Sequence, residues 1–260
     1  KMHQGLRATE KKQLPHMLCV TNMLLHGIDD PSFVRHDNTL ARPYISYTQS
    51  DRVDIVLTNP PFGKKSSITI VNGEGKADKE SLVYERPDFW ATTSNKQLNF
   101  LQHVKTILKI NGKCAIVVPD NVLFEGGAGE TVRKKLLAEC DVHTLLRLPT
   151  GVFYAQGDKA NVVFLDRKEG REKPWTERVW IYDLRTNKHF TLKTNPLRYD
   201  DLQDFIQCYN PKNRFERKET DRFKSFSYEE LMQRDKVSLD IFWLKDESLE
   251  DSENLPSPDL

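Results

Sequence analysis

Apolar runs and amphipathic stretches alternate along the chain, and their order predicts strands and helices in turn. Three apolar runs are each long enough for one buried strand, and they cover residues 53–57, 113–118 and 142–148. A proline stands just after each run, at Pro60, Pro119 and Pro149. Proline ends a strand because it fixes φ and lacks an N–H donor. Amphipathic stretches over residues 96–110 and 130–139 predict the intervening helices.

The flanking segments predict further elements of the same layout. Residues 9–26 have the apolar spacing of a helix, with Thr9 as the expected N-cap and Gly27 as the expected C-cap. Further strands are predicted at residues 34–37, 161–166 and 179–184. The short connection before residue 161 favours an antiparallel hairpin with the preceding strand.

This rhythm predicts an α/β fold, a doubly wound sheet with an antiparallel edge hairpin. In such sheets ligands bind outside the carboxyl ends of the strands, so the three proline-terminated strands predict a shared cleft there. Residues 64–95 are polar and contain glycine, which predicts a long functional loop. Residues 126–129 predict a second, glycine-rich loop.

A change of character near residue 168 predicts two parts. Residues 1–168 form the first part, and residues 169–260 form a charged C-terminal extension. Within it, residues 210–236 are rich in charge with interleaved aromatics, typical either of a nucleic-acid surface or of aromatics that dock on the main domain. The mixed signs of charge favour docking. Residues 246–260 are acidic and resemble a linker.

The composition narrows the function classes. The 260 residues include 39 Lys or Arg and 38 Asp or Glu, so the net charge of +1 gives no general attraction to polyanions. The four cysteines are scattered without CxxC spacing, which predicts buried free thiols of a cytoplasmic protein rather than a disulfide framework or a zinc site. The apolar runs are too short for a membrane span, and no signal peptide is visible.

The turn after the first apolar run carries the candidate chemistry. It reads Asn59-Pro60-Pro61-Phe62-Gly63, and the two prolines hold Asn59 in a stiff turn at a strand end. The Asn59 amide oxygen and the Pro60 carbonyl can both accept hydrogen bonds from an NH2 group. Phe62 can stack on the ring that carries this amine. A strand followed by a plain Asn-Pro turn is common in α/β proteins, but the extension through Phe62 favours an amine site.

Five motifs resemble those of one family, the modification (methyltransferase) subunits of type I restriction-modification systems. The motifs are residues 9–12 leading into 21–27, residues 37–40, residues 59–63, residues 112–119 before 123–124, and residues 148–153. Their order and spacing are similar to the family from residue 9 to about 166, and the remainder is less specific. The resemblance implies that residues 1–168 are a partial methyltransferase catalytic domain and that residues 169–260 are a possible subunit-docking region.

The resemblance implies a Rossmann-like, S-adenosylmethionine-dependent fold. It further implies transfer of the cofactor's methyl group to N6 of an adenine that is flipped out of duplex DNA. Asn59, Pro60, Pro61 and Phe62 would be the catalytic NPPF motif. Asn59 and Pro60 would accept from the target amine and Phe62 would stack on the base, so positioning and electrostatics would supply most of the effect.

The resemblance also implies cofactor contacts and partners. Glu10 would bind the ribose hydroxyls of the cofactor, Asp37 would contact its adenine amine, and Asn59 would lie beside it. Without the resemblance, Glu10 would be interpreted as an exposed acid at the start of a helix, and Asp37 as part of an Asx turn at a strand end. No metal is implied. The implied partners are duplex DNA and the DNA-specificity and restriction subunits of the same system, with no membrane.

One departure from the family sets a further expectation. The family's first strand and glycine-rich cofactor loop precede the position of Glu10, and this chain has no G-x-G there. The glycines at residues 126–129 follow a different strand. We therefore expect a piece of a subunit, truncated at both ends, that binds S-adenosylmethionine weakly or not at all and does not methylate DNA alone.

Two alternatives stay open beside this prediction. The first is a non-catalytic piece that only docks DNA or a specificity subunit, and titration with S-adenosylmethionine separates it from an enzyme. The second is a methyltransferase for another amine, such as the protein-glutamine methyltransferases. Those resemble this site but carry Tyr after Asn-Pro-Pro, so Phe62 favours DNA.

Overall fold

The computed structural model describes residues 6–63, 67–71, 77–81, 83–153 and 159–245. Its strands are β1 (Ala8–Glu10), β2 (Val34–His36), β3 (Val53–Thr58), β4 (Ser67–Val71), β5 (Ala77–Ser81), β6 (Leu108–Pro119), β7 (Cys140–Arg147), β8 (Ala160–Arg167), β9 (Arg178–Asp183) and β10 (Phe223–Ser227). Its α-helices are α1 (Gln13–Leu25), α2 (Lys96–Ile107), α3 (Asn121–Phe124), α4 (Ala128–Glu139), α5 (Gln203–Tyr209) and α6 (Tyr228–Gln233).

A six-stranded mixed sheet forms the centre of the molecule, in the order β10-β9-β7-β8-β6-β3. β3 is parallel to β6 and β7 is parallel to β9, while β8 is antiparallel to both of its neighbours. The carboxyl ends of β3, β6, β7 and β9 therefore share one edge of the sheet. The α/β class and the antiparallel β7–β8 pairing are confirmed. The pair lies inside the sheet rather than at its edge, because β9 and β10 extend the sheet beyond β7.

Two hydrophobic clusters cover the two faces of this sheet. One contains α2 and α4, whose leucines pack against alternate residues of β6, β8 and β9; among these leucines are Leu101 and Leu137. The other contains α5 and the opposite side chains of the same strands, such as Phe205 against Tyr182. Side chains of β9 alternate between the two clusters. Val179 and Ile181 belong to the cluster with α2 and α4, and Trp180 and Tyr182 belong to the cluster with α5.

The N-terminal helix is shorter than predicted. Residues 8–10 form β1, so Thr9 lies in a strand and is not an N-cap; α1 starts at Gln13 after Lys12, which makes no side-chain cap. The β1 backbone pairs in parallel with β2, and this pairing competes with helix formation. Gly27 follows the last turn with φ of 77°, as the predicted C-terminal glycine requires.

Two other boundaries differ from the prediction. The helix over residues 96–110 ends at Ile107, and β6 begins at Leu108, because pairing with β3 and β8 draws the following residues into the sheet. Asn111, the predicted helix end, instead has φ of 64° within β6. The predicted loop over residues 64–95 contains an antiparallel pair, β4 and β5, while residues 64–66, 72–76 and 82 lie outside the described residues.

The glycine-rich segment after β6 is also shorter than predicted. Only Gly126 and Gly127 belong to a loop, and Gly127 has φ of 60°. Gly129, the last of the four predicted loop residues, lies in the first turn of α4, which starts at Ala128. The loop is closed by a hydrogen bond from the Gly129 N–H to the Gly126 carbonyl.

The sheet continues across residue 168. β9 and β10 belong to it, and buried arginines tie the segment after α6 to the rest. The Arg133 guanidinium donates only to backbone carbonyls, those of Val122, Glu125, Lys236 and Val237. Of the interleaved aromatics, Phe223 and Phe226 pack on the hydrophobic clusters, as the docking interpretation predicts, whereas Phe215 is 98% exposed.

Candidate functional site

The predicted catalytic turn lies at the carboxyl end of β3. Thr58, the last residue of β3, pairs with Ile116 in the neighbouring parallel strand, and the chain then leaves the sheet at Asn59. Pro60 is buried and anchors the turn, while Asn59 is exposed. The Asn59 side-chain amide makes no hydrogen bond to any described residue, and the residue lies exposed at the sheet edge that the sequence predicts for ligand binding.

Phe62 is half-buried and lies against a second aromatic ring, that of Phe153. The ring centroids are 6.1 Å apart at an interplanar angle of 65°, an edge-to-face contact. Both rings pack against the cluster that contains Leu148 and Ala160. One side of the Phe62 ring is therefore held by packing, and its exposed part can contact a planar ligand.

Phe153 was not among the predicted site residues, although its motif was recognised. A signal was present, because residues 148–153 repeat the arrangement of a strand end, a proline, a glycine and an aromatic ring. Gly151 has φ of 80°, and a Cβ at this position would lie 2.0 Å from the Phe190 carbonyl oxygen. Only glycine permits this close approach, and the approach fixes the turn that carries Phe153.

Glu10 and Asp37 are brought together at the ends of two parallel strands. The Asp37 N–H donates to the Glu10 carbonyl oxygen at 3.1 Å, directly after the β1–β2 ladder. The Glu10 carboxylate accepts from the Lys12 N–H at 2.7 Å, which leaves its second oxygen without a donor among the described residues. The Asp37 carboxylate accepts from the Asn38 N–H at 2.7 Å and from Arg35 at 3.3 Å.

These two pairs of predicted site residues lie on separate sheets. β1 and β2 form their own two-stranded parallel sheet, whereas Asn59 and Phe62 follow β3 of the six-stranded sheet. The link between them runs through α2, because the Thr39 hydroxyl and the His103 Nε2 atom lie 2.7 Å apart. Two carboxylates that end parallel strands can accept the hydroxyls and amine of a nucleoside.

A network of ionic bonds holds the other strand ends at the same edge. Asp120, just after β6, accepts from both terminal nitrogens of Arg185 at 2.8 Å and from Asn161 at 2.8 Å. Burial alone would raise the pKa of Asp120, but the hydrogen bonds from Arg185 and Asn161 lower it. The carboxylate thus stays ionised and joins β6, β8 and the segment after β9 into one rigid rim.

Other kinds of site find no support in the described residues. They contain no group of three or more His, Cys, Asp or Glu side chains that could hold a metal ion. The cysteines among them are free, as predicted, although only Cys114 and Cys140 are fully buried. Across the described ranges, no helix combines the length and apolarity that a membrane crossing requires.

Comparison with known proteins gives one consistent family. The family model described as N-6 DNA Methylase matches residues 3–243. The chain is 37% identical to the type I restriction enzyme StySPI methylase subunit of Salmonella potsdam, over 94% of this chain and 49% of that protein. It is 35% identical to the EcoKI methylase subunit of Escherichia coli, over 100% of this chain and 52% of that protein.

Solved structures agree with the sequence matches. The crystal structure of the EcoKI M protein superposes with a TM-score of 0.75 at 34% identity, over 93% of this chain and 54% of that one. A modification subunit from Vibrio vulnificus gives a TM-score of 0.66 at 28% identity, over 86% of this chain and 43% of that one. The chain thus spans about half the length of the relatives that it matches.

Proposed function

The chain belongs to the N-6 DNA methylase family, and we propose that it carries the catalytic part of a type I methylase subunit that methylates adenine N6 in duplex DNA. The observation that carries the proposal is the exposed Asn59 amide, free of hydrogen bonds to the described residues and held at a strand end by buried Pro60. The prolines fix the backbone that carries this amide, and the amide itself stays available to a ligand.

In this proposal Asn59 and Pro60 act on the target amine. S-adenosylmethionine, when bound, supplies an electrophilic methyl group. The Asn59 amide oxygen and the Pro60 carbonyl accept hydrogen bonds from the two N–H groups of adenine N6. These bonds raise the electron density on N6 and orient its lone pair. The amine that gains the methyl group then releases one N–H proton to solvent.

Phe62 and Phe153 together offer an aromatic corner for the base. An extruded adenine has lost its stacking partners in the duplex, and a ring face restores roughly 1–3 kcal/mol of stacking. Phe153 supports Phe62 edge-on at 6.1 Å and limits its rotation. The pair therefore favours a flat heteroaromatic ring over an aliphatic amine, which supports a nucleobase over a glutamine side chain as substrate.

The Glu10 and Asp37 carboxylates fit the nucleoside end of S-adenosylmethionine. Each keeps acceptor capacity, and their backbones are joined by a 3.1 Å hydrogen bond. The described residues 6–63 contain two glycines, Gly27 at the end of α1 and Gly63 after Phe62. Neither forms a turn that could wrap a methionine chain, so this proposal assigns the methionine end to no described residue.

The partners of the proposed enzyme follow from its relatives. The proteins named as methylase subunits belong to type I restriction enzymes, and one related structure concerns complex assembly of such a system. We propose duplex DNA, a specificity subunit and a restriction subunit as the partners of this chain, acting in the cytoplasm. The C-terminal part, residues 169–260, is the proposed docking region.

Substitution of Asn59 tests the proposal. We expect Asn59→Ala, introduced into the full-length methylase subunit, to lower methyl transfer to DNA at least about 100-fold, the size of effect seen when a preorganised polar group is removed. Unfolding by urea should be unchanged, because the Asn59 side chain is exposed. Asn195→Ala is the matched control, since this exposed amide bonds only within its own loop. Full activity of Asn59→Ala would locate the chemistry elsewhere.

A docking role without catalysis has one observation in its favour. Ile55 and Leu57 of β3 are 62% and 78% exposed, an apolar strand surface that a second protein could cover. Calorimetric titration with S-adenosylmethionine separates the two functions. Binding that Glu10→Gln and Asp37→Asn both weaken supports the enzyme, whereas absence of binding favours the docking piece.

A further inference from the structure

The segment that follows Asp37 is held by residues from far along the chain. Asn38 donates from its side-chain Nδ2 to the Tyr84 hydroxyl at 3.2 Å, and its own N–H donates to the Asp37 carboxylate at 2.7 Å. Tyr84 is buried. One continuous line of hydrogen bonds therefore runs from Tyr84 through Asn38 to the carboxylate that we assign to the cofactor.

Arg86 makes a second connection to the same segment. It is buried, and its Nη1 atom lies 3.3 Å from the Thr39 carbonyl oxygen and 3.2 Å from His103 Nδ1. Its other nitrogens grip Asp88 in a bidentate pair at 3.0 and 2.6 Å, and Asp88 also accepts from the Thr106 hydroxyl of α2. A guanidinium bound on every side cannot turn, so it fixes the Thr39 carbonyl.

His103 completes the connection in its neutral form. Because Arg86 donates to Nδ1, the ring proton resides on Nε2, which donates to the Thr39 hydroxyl at 2.7 Å. Burial, and after it the Arg86 guanidinium, lowers the pKa of His103 to about 3. Thr39 is thus held at both its backbone oxygen and its side chain.

We propose that Tyr84 and Arg86 are positioning residues that aim the Asp37 carboxylate and thereby set its selectivity for a 6-aminopurine. The inference rests on the proposed contact between Asp37 and the cofactor adenine. Asp37 follows a three-residue strand and is exposed enough to meet a ligand, and the support that its carboxylate receives from β2 is a 3.3 Å bond from the solvent-exposed Arg35 guanidinium. The fixed Asn38 and Thr39 add to that support.

Selectivity is the property that distinguishes aiming from simple stabilisation. A carboxylate aimed at an amine gains a charge-assisted hydrogen bond from it, whereas a 6-oxo group in that place meets the carboxylate with an oxygen. A carboxylate that can move adapts to either ligand, so the difference in affinity between the two ligands becomes smaller. General loosening of the fold would weaken both ligands equally and leave their ratio unchanged.

The test compares two ligands that differ at this one group, S-adenosylhomocysteine and S-inosylhomocysteine. Their dissociation constants are measured by calorimetry on the full chain. We expect the wild type to prefer the amino ligand by on the order of tenfold or more, as for a hydrogen bond to a charged group. Tyr84→Phe should lower this ratio about threefold, and Arg86→Lys, which keeps the charge but loses the fork, about tenfold.

Matched controls remove the same chemical groups elsewhere. Tyr182→Phe deletes a phenol hydroxyl that donates to Asp204 at 2.6 Å, and Arg217→Lys removes a buried guanidinium that donates to the Tyr209 and His143 carbonyls. Both should leave the ratio unchanged. An unaltered ratio in Tyr84→Phe and Arg86→Lys, beside a clear preference in the wild type, would overturn the positioning role. A wild-type ratio near one, or no binding, would instead overturn the proposed role of Asp37 and this inference with it.

Discussion

Helices α1 and α2 carry similar apolar stripes, but the stripe is exposed in α1 and buried in α2. None of the residues of α1 is buried, and Leu18 on its stripe is 61% exposed. In α2 the stripe is inside the first hydrophobic cluster, where Leu101 is 2% exposed. The same contrast holds for strands, because β3 exposes Ile55 and Leu57 while β7 and β8 lie within the sheet.

The contrast teaches what an amphipathic pattern does and does not determine. The pattern tells which face of a helix is apolar, but burial depends on whether another element covers that face. The elements over residues 96–245 cover one another, whereas α1 and the outer face of β3 present apolar surface to solvent. The N-terminal elements and the larger C-terminal part should therefore respond to substitution very differently.

The largest expected difference is between two leucines in comparable helices. Leu101→Ala should reduce the free energy of unfolding by about 2–5 kcal/mol, because it leaves a cavity in the cluster. Leu18→Ala should change it by less than about 0.5 kcal/mol, the usual range for a surface position. Urea unfolding of both variants measures the contrast, and equal losses would show that α1 is buried in solution.

Two glycines with left-handed backbones give the next contrast. Gly151→Ala should cost more than about 2 kcal/mol, since strain at positive φ is joined by a clash with the Phe190 carbonyl. Gly27→Ala has open space around it and should cost only the conformational strain of about 1–2 kcal/mol. Thermal unfolding measures both. Gly170→Ala, with no positive φ and open surroundings, should be neutral.

Acid should weaken the junction between the two regions, where His103 contacts Thr39. The native state resists protonation of His103, whose pKa is lowered to about 3, while the unfolded chain binds a proton near pH 6.5. The unfolded state then holds more protons, so stability falls as the pH drops below 6.5, by up to about 1.4 kcal/mol per pH unit.

The variants of two buried histidines separate the contributions to this acid sensitivity. His103→Gln should flatten the fall in unfolding free energy between pH 6.5 and about 4.5, measured in urea at each pH. Burial also lowers the pKa of His143, in the C-terminal part, so His143→Gln should flatten it further. An unchanged slope in both variants would assign the acid sensitivity to carboxylates.

The smallest effect on stability belongs to charge placed on the exposed stripe. Leu14→Lys with Leu18→Lys should leave the unfolding free energy within about 0.5 kcal/mol of the wild type. Self-association at high concentration, measured by sedimentation, should decrease, because exposed apolar patches attract one another. A folded monomer in both proteins would mean that the stripe is too narrow to associate.

The sequence predicted the positions of the strands well where the chain is apolar and proline-terminated. The prediction that residues 53–57 form a buried central strand was wrong, because β3 lies at the edge of the sheet and exposes Ile55 and Leu57. The ends of β3, β6 and β7 fall at the expected prolines, and the pairing of β7 with β8 follows from their short connection. It failed at β1, where only three residues form a strand that tertiary pairing stabilises. The prediction from sequence also failed at Leu108, where β6 begins although the apolar spacing continues that of the helix.

The candidate site was predicted in its members more than in its arrangement. Asn59 and Phe62 could be selected because two prolines make their turn rigid, and Glu10 and Asp37 because of the family resemblance. The side-by-side contact of Glu10 with Asp37 depends on β1–β2 pairing, which local patterns do not encode. Phe153 and Arg86 act through contacts with residues 91 and 47 positions away, beyond the reach of periodicity.

The bonds of Arg133 across the sheet bear on how this chain could be divided and rejoined. A cut in the exposed segment around Gly170 would place Arg133 on one piece and the carbonyls of Lys236 and Val237 on the other. The same cut would separate β7 from β9, whose backbones pair directly. Each piece would carry one partner of the Arg133 hydrogen bonds and one strand of the β7–β9 pair. Two such pieces would regain the fold only by re-forming the β7–β9 pairing and the Arg133 bonds, so the rejoining of a cut chain reads out these contacts directly.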